Sequence, residues 1–156
     1  MLMPLFWIVL SGLMVVPALA EEGVTLYPEF KTTQLQSEEK HYLANITIHS
    51  PDELKEVLRQ ADIFYEDSNY HLAKPIKVVV HGAEAEVFIT DRYRQYKPIV
   101  KLAAQLQSLE VVDIFVCETW IQGNGYEKKD FYNFVGTVPF GPAEMKRLLN
   151  MGYVYF

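Results

Sequence analysis

Apolar and polar positions along residues 41–156 switch repeatedly between a strand-like and a helix-like rhythm. Residues 41–49 (HYLANITIH) are β-branched and apolar enough for a first strand. Ser50-Pro51-Asp52-Glu53 then reads as a helix start. Serine can cap, proline suits the first turn, and glutamate three residues on completes a capping box. Leu54, Val57, Leu58, Ala61 and Phe64 follow at spacings of three and four, giving one apolar helix face. Residues 76–80 (IKVVV) form a second strand, bounded by Lys74-Pro75 before and Gly82 after. Residues 98–109 carry Ile99, Leu102, Ala103 and Leu106 on one face and predict a helix. Residues 111–116 (VVDIFV) predict a third strand, of the kind buried in a sheet.

The remaining chain keeps the same alternation in shorter pieces. Residues 118–122 predict a brief helical turn ended by Gly123-Asn124-Gly125, and residues 129–134 a further helix. A short strand is expected at 135–138. Gly141-Pro142 opens a helix with Met145, Leu148 and Leu149 on its face, Gly152 closes it, and 153–156 is a terminal strand. Strands separated by helices indicate βαβ units and a parallel sheet covered on both faces. The expected fold class is therefore α/β, a three-layer α/β/α domain over residues 41–156.

The first forty residues follow neither rhythm. Residues 1–20 carry no charged side chain, hold a nearly continuous apolar run from Leu5 to Val16, and end in Pro17-Ala18-Leu19-Ala20 before Glu21-Glu22. This is the layout of a signal peptide, too short in its apolar part to span a bilayer comfortably. It predicts export to the periplasm or medium and no stable membrane span after cleavage. Residues 21–40 are polar and aperiodic, and read as an N-terminal arm.

Composition narrows the chemistry. The 156 residues carry 20 acidic and 14 basic side chains, a formal charge of −6, which argues against nucleic acid as a partner. A single cysteine, Cys117, excludes a disulfide within the chain and a thiolate-rich zinc site. His41 and His49 share strand parity, but no third ligand is spaced to complete a metal site. No phosphate-binding loop, nucleophile elbow or catalytic carboxylate pair is present, and no cofactor is expected. Residues 91–97 (DRYRQYK) mix charge and aromatics, a pattern that fits a solvated helix entrance better than a ligand contact.

Candidate chemistry collects at strand ends, where ligands bind in open parallel sheets. The second strand runs into His81-Gly82 and the third into Cys117. If these strands are neighbours, imidazole and thiol lie within reach of one another. Unpaired amides at a following helix start favour a thiolate at Cys117, while the adjacent Glu118 carboxylate acts against it. The competing reading is that Cys117 is a small buried hydrophobe and His81 a hydrogen-bonded structural residue.

Three segments resemble the DsrE/DsrF-like sulfur-relay family, particularly its stand-alone members. They are Val116-Cys117-Glu118-Thr119-Trp120-Ile121 with Gly123, then Val78-Val79-Val80-His81-Gly82, and Val138-Pro139-Phe140-Gly141-Pro142-Ala143-Glu144-Met145 with Arg147-Leu148 and Gly152-Tyr153. They occur in the family's order over residues 42–156. The resemblance implies a five-stranded parallel sheet with the second and third strands adjacent. It also implies a homo-oligomer, trimer or hexamer, with a sulfur donor or acceptor protein as partner. Cys117 inherits the position of the persulfide-carrying cysteine, and His81 a recurring position without an assigned task. Gly82, Glu118 and Trp120, beside them in these segments, are the expected ligand-binding residues. The function expected is sulfane-sulfur binding or transfer by an exported protein. The alternative is a non-catalytic homo-oligomer that binds a small ligand and keeps Cys117 buried and inert. A redox role through an intermolecular disulfide is a third reading.

Overall fold

The structure is a computed structural model and describes residues 40–156. The signal-peptide reading of 1–20 and nearly all of the arm at 21–40 lie outside the described residues. Five strands form one all-parallel sheet: β1 (Tyr42–Leu43), β2 (Ile76–Val80), β3 (Val112–Cys117), β4 (Gly136–Val138) and β5 (Val154–Tyr155), in the order β4-β3-β2-β1-β5. Four α-helices connect them: α1 (Pro51–Asp67), α2 (Tyr93–Ser108), α3 (Glu118–Gly123) and α4 (Gly141–Asn150). The fold is the expected three-layer α/β/α, and β2 and β3 are neighbours, with Val80 in register with Val116.

Alternation along the strands divides the core. Ile76, Val78 and Val80 of β2 and Val112, Ile114 and Val116 of β3 face α1 and α2, meeting Leu54, Leu58 and Ala61 from α1 and Ile99, Val100, Ala103 and Leu106 from α2. Each of the valine, leucine and isoleucine side chains contributes roughly 1.5–3 kcal/mol by leaving water. The opposite face is thinner: Leu43, Val79 and Val138 pack against Leu148 of α4 and Tyr153. Toward β3 that face also carries an ion pair, Lys77 with Asp113, whose ammonium lies 5.2 Å from the centre of the Phe115 ring.

Four local expectations change. The first strand is Tyr42–Leu43 rather than 41–49. The backbone N–H groups of Thr47, Ile48 and His49 donate to the Glu53 carboxylate at 2.8 Å each, so they are not available to a sheet ladder. This also alters the capping box: Ser50 Oγ accepts from the Glu53 N–H as expected, but the Glu53 side chain caps the residues before the helix instead. Burial pushes the Glu53 carboxyl up, but these bonds together outweigh it and hold the group below its ordinary range.

Helix α2 begins at Tyr93, before Pro98, because a kink at non-helical Tyr96 sets the proline in the first turn of its straight part. The segment 91–97 is thereby a helix entrance, as expected. Between β2 and α2 the chain makes two short 3₁₀ turns, Ala83–Phe88 and Thr90–Arg92, which the hydrophobic pattern did not disclose. The predicted helix at 129–134 is only a 3₁₀ turn, Lys128–Asp130. Beyond it, Phe131 bridges Ile89 and the Tyr132 N–H donates to the Phe88 carbonyl at 3.2 Å, which pulls the chain out of helical geometry.

Candidate functional site

Cys117 and His81 stand at the carboxyl ends of adjacent strands and open onto one cleft of about 240 Å³, shared with Thr119, Trp120, Phe140 and Pro142. Cys117 is the last residue of β3 and the cap of α3, so its backbone is held by strand geometry on one side and by the helix turn on the other. The residue as a whole is 2 % exposed. The Gly141 N–H, in the first turn of α4, donates to Cys117 Sγ at 3.2 Å, a bond that a thiolate accepts more strongly than a thiol. Gly141 also packs against His81: a Cβ there would lie 2.8 Å from His81 Cβ. One residue without a side chain thus brings the start of α4 against both candidate groups.

His81 is half-buried and faces a second imidazole, His49, with ring centres 4.3 Å apart. Burial, followed by the neighbouring His49, holds the His81 imidazole below its ordinary pKa, so the neutral ring is favoured there. The neutral ring shares its cleft with the thiol and has a lone pair that can accept a proton, while the lowered pKa makes it a weaker base than a free histidine.

Behind the two rings lies Glu84, which is fully buried. Its Oε1 accepts the backbone N–H of His81 at 2.9 Å and of Gly82 at 3.0 Å, and meets His49 Nδ1 at 3.1 Å. An oxygen already accepting two N–H groups acts as acceptor toward the imidazole as well. His49 Nδ1 therefore carries the proton and donates, leaving Nε2 as the ring nitrogen free to meet a ligand. His49 is fixed from the backbone too, in the left-handed region at φ 55° with its N–H held by Glu53. Gly82 makes room for this packing: a Cβ there would lie 2.5 Å from His49 Cβ and 2.8 Å from Glu84 Oε2.

The five residues expected at the site separate into three groups. Cys117, His81 and Trp120 line one cleft. Gly82 lies behind them as a packing residue whose N–H serves Glu84. Glu118 faces elsewhere: its Oε1 accepts the Thr137 hydroxyl at 2.6 Å, and it lines a different cleft with Ile121 and Tyr126. The carboxylate expected to oppose a thiolate is thus engaged away from the sulfur cleft. Glu84 and His49 were not singled out as site residues. The signal that could have found Glu84 is a glutamate three positions after a strand-end histidine, within reach of that strand's last N–H groups. Among the described residues no cluster of three or more His, Cys, Asp or Glu is arranged to hold a metal ion, and no helix is long and apolar enough to cross a membrane.

No family model matches the chain, and no curated protein matches it. Among solved structures, it is similar to a protein of unknown function from Methanobacterium thermoautotrophicum, with a TM-score of 0.51 and 17% identity over 74% of this chain and 93% of the other. At that identity the similarity shows the fold alone.

Proposed function

We propose that this protein binds and transfers sulfane sulfur through Cys117, in the manner that the resemblance to the DsrE/DsrF-like family implies. The observation that carries the reading is the environment of Cys117 Sγ: at a strand's carboxyl end, on a cleft shared with His81, accepting an N–H from the first turn of a ten-residue helix. The Cys117 thiol passes its proton to the His81 imidazole or to water. The thiolate attacks the outer sulfur of a donor persulfide R–S–SH. A Cys117 S–S bond forms, the donor S–S bond breaks, and R–S⁻ leaves with the electron pair. Transfer onward is the same exchange with an acceptor thiolate, which restores the Cys117 thiolate without net oxidation. Export and assembly into a trimer or hexamer belong to the same proposal. The exposed apolar side chains Met151, Val154 and Tyr155 at the β5 edge suit a subunit contact.

Intact-mass measurement after treatment with inorganic polysulfide tests this. The wild-type chain is expected to gain whole sulfur atoms removable by a reducing thiol, and Cys117→Ser to gain none. A wild-type mass that stays unchanged overturns the proposal.

The 2 % exposure of Cys117 favours a second reading, in which the thiol is inert and the protein binds a small ligand at its strand ends. In that case Cys117→Ser keeps both assembly and ligand affinity, and loss of both would count against it.

A further inference from the structure

His81 and Pro142 also border a second cleft of about 390 Å³, a volume within the range of small-molecule sites. It opens at the ends of other strands. Ile46 lies just beyond β1 and Tyr155 belongs to β5. In this sheet the chain passes from β1 through β2 and β3 to β4 in one direction, then returns to place β5 on the other side of β1. The boundary between β1 and β5 is therefore where strand order reverses, the position at which open parallel sheets take their ligands.

The lining of this cleft has two characters. Ile46, Met145 and Leu149 form an apolar wall, while His49, His81 and Lys146 supply polar groups. His49 is the most firmly built of these. Buried Glu84 fixes its ring through Nδ1, Glu53 fixes its backbone, and its side chain is 31% exposed. An off-surface carboxylate holding one imidazole nitrogen so that the other is presented outward is the arrangement by which proteins orient a working histidine. Lys146 forms no salt bridge among the described residues, so its ammonium is free for an incoming charge.

We infer that this second cleft binds a small organic acid, its carboxylate held by His49 Nε2 and Lys146 and its apolar body lying along Ile46, Met145 and Leu149. This deepens the small-ligand reading by naming the ligand class and the site, and it stands whether or not Cys117 reacts. With Nδ1 already donating to Glu84, the contact at Nε2 takes up one proton with the acid, shared between Nε2 and the carboxylate, and Lys146 adds the positive charge that the acid requires.

Isothermal titration of the purified full chain with hexanoate, hexanamide and inorganic phosphate tests this. Hexanoate is expected to bind, with hexanamide and phosphate each roughly tenfold weaker or more, the first lacking the charge and the second the apolar body. His49→Gln and Lys146→Gln should each weaken hexanoate by a similar factor. Lys146 is exposed, so its variant gives the answer even if His49→Gln fails to fold. Equal binding of hexanoate and hexanamide overturns the acid assignment but leaves the small-ligand reading standing. Binding of neither overturns both. Hexanoate affinity unchanged in Lys146→Gln overturns the placement of the carboxylate.

Discussion

His81 borders both clefts, and its protonation state matters to each. Its pKa is held below the ordinary 6.5 by burial and then by His49, so the unfolded chain binds the proton more readily than the folded one. Neutral His81 therefore contributes stability that is fully present above about pH 6.5 and is lost as pH falls through the lower folded value. An NMR titration of the folded protein is expected to place the His81 midpoint below that of a free histidine side chain. A midpoint at or above 6.5 would contradict this description of its surroundings. Cys117 and His81 were legible in the sequence because each directly ends a run of apolar strand residues, and Pro75 and Gly82 punctuate the first of those runs. Glu84 and His49 were not legible as a pair. They stand 35 positions apart, and their contact depends on a 3₁₀ turn and on a loop bent back toward Glu53, neither of which leaves a hydrophobic period.

Among the elements, α4 has the largest consequence for the site. Its first turn supplies the N–H on Cys117 Sγ and the close approach to His81, yet Leu148 is its one buried side chain in the thin core against Val79 and Leu43. Leu148→Ala should cost about 2–5 kcal/mol, the usual range for a buried leucine. It should also loosen the helix start enough to speed alkylation of Cys117 in the folded state. A denaturant midpoint unchanged from wild type would show that α4 is held by something other than this core. The start of helix α1 was readable to the residue, since Ser50 and Pro51 mark it by local chemistry and the apolar face that follows is regular. The first strand was overextended because residues 44–49 have strand composition while the N–H groups of Thr47, Ile48 and His49 answer to Glu53, a competition that composition does not record.

For the whole molecule, the strand order gives one sheet two clefts at its carboxyl ends, the Cys117 cleft over β3 and a larger one where β1 meets β5. The α/β/α class was legible because hydrophobic periodicity alternates along the chain, and the adjacency of β2 and β3 was an expectation that the register of Val80 with Val116 bears out. The position of the β1/β5 boundary was not legible, since sequence order says nothing about which side of the sheet the last strand joins. The central claim concerns the thiol, and its accessibility is the most direct test. With iodoacetamide under native conditions, Cys117 is expected to alkylate faster than global unfolding permits, with little change in rate as low concentrations of denaturant are added. Alkylation that occurs only in step with unfolding would show the thiol sealed within the fold and would contradict sulfur transfer at Cys117.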